Sequence, residues 1–420
     1  MSREMKNSGI PWIGEVPKEW KVDKLQVALS EIVEKNSPIK TNYILSLTNT
    51  RGVIPYTEKG DIGNKSKENH EDYKIAYPDT IVANSMNILI GSVGICKYYG
   101  CVSPVYYIFK ATDYGDLHYF NYIMSSEPFQ KHLRQYANGI LEIRLRVSSS
   151  DILKRYVPFP SLSEQQKIAE FLDKKCGEVD KLIALQEQII EELKAYKQSV
   201  ITEAVTKGLN PNVPMKDSGI EWIGEIPEHW EVIRIKYLLG ERKERSENGE
   251  EEPLSMSQKY GLIPTKEMDM IPNMASSFEG AKIVHIQDLV FNKLKAHLGV
   301  FATSKYNGLV SPDYAVYYGL GKALMPYMEY MFKTPQYISE FRKTATGVGS
   351  GLTRLYTSDL FTMLFPLPSV VEQEHIVNFL DTKKSQIDAL IAIKQQKIES
   401  LKEYKKSIIY EYVTGKKEVV

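Results

Sequence analysis

The chain has 420 residues, of which 43 % are hydrophobic and 25 % charged, as in an ordinary globular protein long enough for two to four domains. Its 53 basic and 53 acidic residues cancel, so the chain as a whole has no basic excess of the kind that phosphate contact usually leaves. The longest uncharged stretch, residues 81–96, is too short and polar to span a membrane. Three cysteines without a CxxC pair favour a reducing cytoplasm.

The first 160 residues predict a globular domain of short strands followed by helices. β-branched and aromatic runs bounded by glycine and proline predict strands at residues 43–47, 73–77, 80–83 and 105–109. Helical periodicity follows over residues 117–124 and 128–136. We expect an α+β class with mixed sheets.

A long amphipathic helix is predicted over residues 161–209. Ser163 is the expected N-cap, with Gln166 three residues on as a capping box, and Gly208 and Pro211 end the helix. Apolar residues at steps of three and four predict a coiled-coil-like seam, the stripe that would contact a second helix. Its members are Val179, Leu182, Ile189, Leu193, Tyr196 and Val200.

The second half of the chain follows the same plan. Strands are predicted at residues 254–257, 288–291 and 314–318, and helices at 324–332 and 335–341. A second long helix over residues 369–420 has Val371 where the first has its capping serine, which predicts a weaker cap, and Lys394 and Lys397 interrupt its stripe. Its seam residues are Ile387, Leu390, Leu401, Tyr404 and Ile408.

The two halves are an internal repeat. Residues 6–20 recur at an offset of 210 with ten of fifteen positions identical, and residues 158–206 recur at 208 with 26 of 49 identical. A period near 208 is too long for a solenoid. It predicts four segments, at 1–160, 161–209, 210–368 and 369–420, with a pseudo-two-fold axis that suits a roughly two-fold target such as duplex DNA.

The long helices suggest a spacer. Forty-odd residues span roughly 65 Å, and a single helix of that length cannot bury its own stripe. Two matching stripes can bury each other in an antiparallel pair, with a globular domain at each end. The alternative is an ordinary structural hairpin with no measuring role.

Catalytic and metal-binding motifs are missing from the sequence. It contains no phosphate loop, no HExxH, no Cys/His metal spacing and none of the tetrapeptides of amino-methylating enzymes. The glycine-rich residues 347–351 have no glycine-rich counterpart at 139–143, which favours a loop. We therefore expect a chain that is not itself an enzyme and binds no metal or cofactor.

Comparison of the two copies suggests one scaffold with two different surfaces. Shared polar residues could contact phosphate or bases, and residues that differ at equivalent places, such as Ser85 opposite Lys293, are better candidates for base reading. Alternatively, the shared residues are structural: solvated lysines, tyrosines at core edges, and arginines paired with Asp151 and Asp359. The candidate DNA-binding residues are Arg51, Lys65, Lys67, Asn84, Ser85, Lys97, Tyr98, Arg144, Arg146, Lys259, Tyr260, Asn292, Lys293, Lys295, Lys305, Tyr306 and Arg354.

Two duplicated motifs resemble those of a known family. Ser8 to Trp20 looks like the opening motif of each target-recognition domain in the specificity subunit of type I restriction–modification systems. Ser161 to Asp173 is similar to the start of each spacer helix in that family, and both motifs appear twice in the expected order.

The resemblance implies a role in DNA recognition. Each target-recognition domain would read one half of a bipartite, asymmetric site in double-stranded DNA, and the helices would set the gap. They would also dock two modification subunits, which use S-adenosylmethionine to methylate adenine, and two motor–nuclease subunits would complete the complex. A rod of roughly 65 Å limits the separation to about two turns of duplex, with one turn as the natural choice.

Two other roles remain open at this point. The chain could be an interaction scaffold whose recognition domains have lost DNA binding. It could also be the reader for a fused methyltransferase–nuclease polypeptide.

Overall fold

The protein was analysed as a computed structural model that describes residues 3–48, 51–60, 69–138, 145–258, 260–270, 277–348 and 352–419. Four candidate residues, Lys65, Lys67, Arg144 and Lys259, lie outside these ranges. The chain forms two compact units. Unit 1 contains residues 1–187 and 395–420, and unit 2 contains residues 188–394.

Unit 1 is built on a four-stranded antiparallel sheet in the order β4-β11-β8-β9. These strands are β4 (Leu29–Ile32), β8 (Thr80–Asn84), β9 (Val93–Cys96) and β11 (Tyr106–Ala111). Paired two-stranded ladders surround it: β1 (Met5–Asn7) with β2 (Glu15–Pro17), β3 (Lys21–Lys24) with β12 (Tyr156–Phe159), β5 (Leu45–Thr48) with β6 (Gly52–Pro55), and β7 (Lys74–Ala76) with β10 (Gly100–Val102). The short helices are α1 (Leu117–Ser125), α2 (Glu127–Arg134) and α3 (Ser149–Leu153).

The central sheet of unit 1 separates two hydrophobic cores because successive strand residues point to opposite faces. Ile81, Ala83 and Phe109 face the large core with the helices. Val82 and Ile108 face a small core closed by β5, β6, β7 and β10. The continuous apolar run of β8 is therefore explained by burial on both faces.

Unit 2 repeats this architecture with the sheet order β16-β23-β20-β21. Its strands are β13 (Met215–Asp217), β14 (Glu225–Pro227), β15 (Glu231–Arg234), β16 (Leu239–Glu241), β17 (Leu254–Ser257), β18 (Gly261–Pro264), β19 (Lys282–Val284), β20 (Leu289–Asn292), β21 (Phe301–Thr303), β22 (Gly308–Val310), β23 (Tyr314–Gly319), β24 (Thr346–Val348), β25 (Leu352–Arg354) and β26 (Leu364–Leu367). Its short helices are α5 (Met325–Phe332), α6 (Pro335–Thr344) and α7 (Thr357–Thr362).

All the strand ladders of the described residues are antiparallel, and parallel pairing occurs only in isolated bridges such as Ile44 with Cys101. The expectation of mixed sheets was therefore too broad. Short connections allow antiparallel neighbours, whereas parallel strands need long crossovers.

The two long helices are α4 (Leu162–Lys207) and α8 (Val370–Val413), of 46 and 44 residues. The predicted cap was two residues out of place. Ser161 and Ser369, not position 163 or 371, accept hydrogen bonds from the backbone N–H groups of Glu164 and Glu372, at 3.3 Å in both copies. The helices thus have equivalent starts, and Val371 does not weaken the second cap.

Within each unit, segments of the two long helices pack antiparallel. In unit 1, Lys405 pairs with Asp180 at 2.7 Å, and Phe171 packs on Tyr412. In unit 2, Lys197 pairs with Asp388 at 2.6 Å. The two ion pairs occupy equivalent positions in the repeat.

The predicted seam is only partly buried. Val179, Ile387 and Ile408 are buried, and Ile189, Leu193, Val200 and Leu401 are half-buried. The remaining four seam residues are exposed: Leu182, Tyr196, Leu390 and Tyr404. Gln186, Ile190, Ile391 and Ile398 are buried instead, so the buried stripe runs along a neighbouring line of the same helices.

The C-terminal turn of each long helix completes a globular core. Ile408 and Val413 of α8 lie in the large core of unit 1, where the buried Tyr119 hydroxyl donates to the Val413 carbonyl at 2.9 Å. In unit 2, Tyr327 donates in the same way to Val205 of α4 at 3.1 Å. Each core therefore depends on a helix end that is far away in sequence.

Each compact unit contains a part of both long helices, because the boundaries between the units lie inside α4 and α8. The predicted segment boundaries lie instead at the ends of these helices. The four-segment division stays a prediction. In the part of the chain that the structure describes, no helix is long and apolar enough to cross a membrane.

Candidate nucleic-acid interface

An equivalent polar site lies at the end of a central strand in each unit. The side chains of Asn84 and Asn292 accept hydrogen bonds from the backbone N–H two residues on, at 3.0 and 3.1 Å, and so turn the chain. The next residue is Ser85 in unit 1 and Lys293 in unit 2. Asn84 is buried, so its side chain serves the turn.

A second segment is tied to this turn by backbone hydrogen bonds. Val147 N–H donates to the Ser85 carbonyl at 3.2 Å, and Leu355 N–H donates to the Lys293 carbonyl at 3.0 Å. These bonds bring the preceding residues, Arg146 and Arg354, to the same place in each unit. The geometry thus joins predicted residues that are about 60 positions apart.

A shared lysine–glutamate pair supports the site. In unit 1, Lys74 and Glu31 lie 3.7 Å apart, and in unit 2, Lys282 and Glu241 lie 3.4 Å apart. Lys282 is only 7 % exposed. Sequence analysis missed both pairs, although the lysines are matched at the offset of 208.

The two copies differ in the side chains that fill the site. In unit 1, Ser85 lies within hydrogen-bonding reach of the Tyr107 hydroxyl, and burial, together with the nearby Glu31, raises the pKa of that phenol. In unit 2, the positions equivalent to Ser85 and Tyr107 are Lys293 and a buried Ala315. A serine–tyrosine pair is replaced by a lysine and a small apolar residue.

Lys293 is a half-buried cation close to other cations. Burial lowers the pKa of its ammonium group, and Lys282 and Arg354 lower it further, whereas the nearby carboxylates of Glu241 and Asp313 partly oppose this shift. Within the described part of the chain, the Lys293 ammonium has neither an ion-pair partner nor a hydrogen-bond acceptor. Its charge is therefore available to a ligand with acceptor atoms.

The two arginines have different partners. Arg354 donates to Asp313 at 3.2 Å, and its Nε is buried without an acceptor. Arg146 is exposed, and among the described residues its side chain donates only to the Met86 sulfur, at 3.6 Å, and has no carboxylate partner. Neither arginine pairs with Asp151 or Asp359, the structural alternative considered from sequence.

The matched lysine–tyrosine pairs are divided between surface and core. Lys97 and Lys305 are exposed, and nothing in their surroundings assigns them a ligand. Tyr98 and Tyr306 pack against the small cores of their units. The tyrosines therefore have a structural role, whereas the lysines remain candidates.

Three further candidates are exposed. Arg51 donates to the Glu58 carbonyl at 2.6 Å, and the Tyr260 hydroxyl donates to Asp269 at 2.8 Å. Lys295 is exposed two residues beyond Lys293. Of the described candidates, the geometry brings together Asn84, Ser85 and Arg146 in unit 1 and Asn292, Lys293 and Arg354 in unit 2.

A metal cluster is not part of this site. No group of three or more His, Cys, Asp or Glu side chains is placed to hold a metal ion among the residues with described positions. The cysteines Cys96, Cys101 and Cys176 are buried and unpaired. The chemistry available at the site is hydrogen bonding and charge.

Comparison with known proteins gives a consistent family. Residues 17–195 match the family described as type I restriction modification DNA specificity domain. The MjaX specificity subunit of Methanocaldococcus jannaschii is 24 % identical over 96 % of this chain and 95 % of its own length. The EcoKI specificity subunit of Escherichia coli K12 is 25 % identical over 59 % of this chain and 56 % of its own length.

Solved structures show the same fold at low sequence identity. One, from a study of assembly and conformational transition in a type I R-M system, has a TM-score of 0.71 at 14 % identity and covers 95 % of this chain and 98 % of its own. The HsdS subunit of Thermoanaerobacter tengcongensis has a TM-score of 0.55 at 14 % identity, with the same coverage. Residues 17–195 thus match a type I restriction–modification DNA specificity domain, and the chain over nearly its whole length is similar in sequence and fold to specificity subunits of such systems.

Proposed function

We propose that each unit reads one half of a bipartite, asymmetric site in double-stranded DNA. The observation that carries this proposal is the polar site at the strand ends. Both units have the same backbone hydrogen bonds there but different side chains. A shared frame with Ser85 and Tyr107 in one copy and Lys293 and Ala315 in the other suits two readers of different short sequences.

The long helices have the length needed for a spacer. The 46 residues of α4 correspond to about 70 Å, which limits the gap between the half-sites to about two turns of duplex. Their equivalent ion pairs, Lys405 with Asp180 and Lys197 with Asp388, would set the register of the helix segments in each unit.

The helices also carry matched exposed apolar residues. Unit 1 exposes Leu182, Leu185 and Tyr404, and unit 2 exposes their repeat equivalents, Leu390, Ile393 and Tyr196, each between 46 and 59 % exposed. Apolar groups presented together on a surface mark an interaction site. We assign these two surfaces to two modification subunits that use S-adenosylmethionine to methylate adenine, and motor–nuclease subunits would join that assembly.

The reader role is tested by adenine methylation. The chain is co-expressed with a type I modification subunit, and methylated adenines are mapped across the host genome. A bipartite motif with a fixed gap is expected. Formation of an intact complex that methylates no defined motif would contradict the proposal and favour a scaffold without DNA recognition.

The division between the units is tested by a chimera. Replacing residues 231–365 with the corresponding segment of a related subunit should change one half-site and leave the other half and the gap unchanged. A change in both halves would contradict independent reading.

The docking surfaces are tested by charge insertion. Leu182→Glu and Leu390→Glu should each reduce the bound modification subunits from two to one, and the double variant should bind none, as measured by native mass spectrometry. Lys181→Glu, an exposed neighbour, is the matched control and should retain both. Two bound subunits in the double variant would exclude these surfaces.

A further inference from the structure

In each unit, one cation of the polar site lacks a carboxylate partner, but it belongs to a different residue position in the two units. In unit 1, Arg146 is exposed without a carboxylate partner, and Lys74 is paired with Glu31. In unit 2, Arg354 is held by Asp313, and Lys282 is paired with Glu241. The available charge in unit 2 is Lys293, where unit 1 has the neutral Ser85.

The difference between the arginines has a local cause. Asp313 of unit 2 occupies the position of Val105 in unit 1. The carboxylate is therefore present only where Lys293 is present, and it holds the arginine to one side. The Nε of Arg354 is also buried. Arg354 therefore has fewer N–H donors available to a ligand than Arg146, its equivalent in unit 1.

A base edge fits this pattern better than phosphate. Phosphate contacts position a protein but carry no sequence information, so two readers on one scaffold would keep such contacts in common. The available cation is instead on a different residue in each copy. Guanine presents two acceptors, O6 and N7, in the major groove, which arginine and lysine side chains recognise.

We infer that Lys293 is the guanine-reading residue of unit 2, that Arg146 has this role in unit 1, and that Arg354, held by Asp313, does not read a base. This inference rests on the proposed reader function and names the residues that determine its specificity. Arginine can bind guanine through two donors in a fixed plane, whereas lysine presents a point charge.

The test compares methylation motifs of Lys293→Ala, Arg146→Ala and Arg354→Ala complexes with that of the wild type. Lys293→Ala should relax one guanine position of the half-site read by unit 2, with a loss of preference on the order of ten-fold. Arg146→Ala should relax one guanine position of the other half-site. Arg354→Ala should leave guanine preference in its half-site largely intact.

Lys322→Ala is the matched control, since it removes an exposed lysine of unit 2 that is not a candidate for DNA contact, and it should not relax any position. Each variant is checked for complex formation and for methylation of the unaltered half-site, so that loss of folding is distinguished from loss of reading. Uniform weakening across all sequences in Lys293→Ala would indicate a phosphate contact and overturn the inference. So would a unit 2 half-site without a G·C pair, or relaxation in Arg354→Ala but not in Lys293→Ala.

The outcomes also separate this inference from the proposed function. If the wild-type complex yields no bipartite motif, the reader function itself fails. If the motif is present but Lys293→Ala leaves every position unchanged, the reader function stands and the assignment of Lys293 is wrong.

Discussion

A tryptophan–glutamate contact joins the opening motif to the start of a long helix in both units. The indole N–H groups of Trp20 and Trp230 donate to Glu164 and Glu372, at 3.0 Å in each case, and both tryptophans are 1 % exposed. A hydrogen bond to a charged acceptor at a buried site is stronger than a neutral one. This contact gives a physical reason for the tryptophan that ends the repeated motif.

Trp20→Phe should therefore destabilise unit 1 by about 1.5–3 kcal/mol, because it removes a charge-assisted hydrogen bond. Trp12→Phe is the control, since the Trp12 Nε1 is buried without a partner in the described structure and its loss breaks no hydrogen bond. Urea unfolding followed by circular dichroism measures both. Equal shifts in the two variants would show that packing, and not the hydrogen bond, determines the cost.

The pKa of Lys293 leads to a pH prediction. Its lowered value means that the ammonium group loses its proton at a lower pH than an ordinary lysine, for which the pKa is about 10.4. The charged form is the one that donates to guanine, so recognition by unit 2 should weaken first on the alkaline side. Recognition by Arg146 should persist because a guanidinium stays protonated.

This prediction is measured by binding of the complex to duplexes with one altered half-site, from neutral to alkaline pH. Lys293→Arg should move the alkaline loss to higher pH. Parallel loss at both half-sites would contradict the assignment of the two donors.

At the scale of elements, the ends of the long helices act as parts of the globular cores. Deleting residues 408–420 would remove Ile408 and Val413 and break the shorter hydrogen bond of the buried Tyr119 hydroxyl, that to the Val413 carbonyl, leaving only the 3.4 Å contact with the Pro158 carbonyl. We expect faster hydrogen exchange in β8 and α1 of unit 1, and little change in the equivalent elements of unit 2. Mass spectrometry of exchanged peptides measures this difference, and equal loss of protection in both units would argue against it.

Sequence periodicity predicted both long helices, because the apolar spacing and Gly208 are local signals, although the capping residue was placed two positions too late and α8 ends at Val413, before its predicted end. It did not identify which stripe is buried. Leu182 and Tyr196 are apolar and correctly spaced, yet exposed, whereas Gln186 is buried. Each helix carries more apolar residues than one contact can cover, and the choice depends on packing that no local pattern encodes.

The candidate site was predictable only where comparison of the two copies identified a residue, and not where a residue acts through a tertiary contact. Arg146 and Lys293 stood out because the two copies could be compared position by position. Asp313 did not, since its effect depends on a tertiary contact with Arg354. The helix ends that complete the cores were also missed, because contacts such as that of Tyr119 with Val413 join residues 294 positions apart.

For the whole molecule, zero net charge is consistent with recognition by a few placed cations. Most charged groups of the candidate site are neutralised by neighbours, as in the pairs of Lys282 with Glu241 and Arg354 with Asp313. A chain of this kind has little capacity for general attraction to phosphate, which dominates nonspecific binding. Strong DNA binding would then need additional phosphate contacts from its partner subunits.

The contact between Arg3 and Glu418, at 3.9 Å in unit 1, brings the two ends of the described chain together. The connection after α4, at residues 209–212, is exposed. Chain ends that lie close together and an exposed site for the new ends favour circular permutation. We expect a variant with a short linker between the present ends and a new start near Asn212 to have the same methylation motif and gap. A changed gap would show that the order of the connections matters, whereas an unchanged gap would show that recognition does not depend on which exposed connection holds the chain ends.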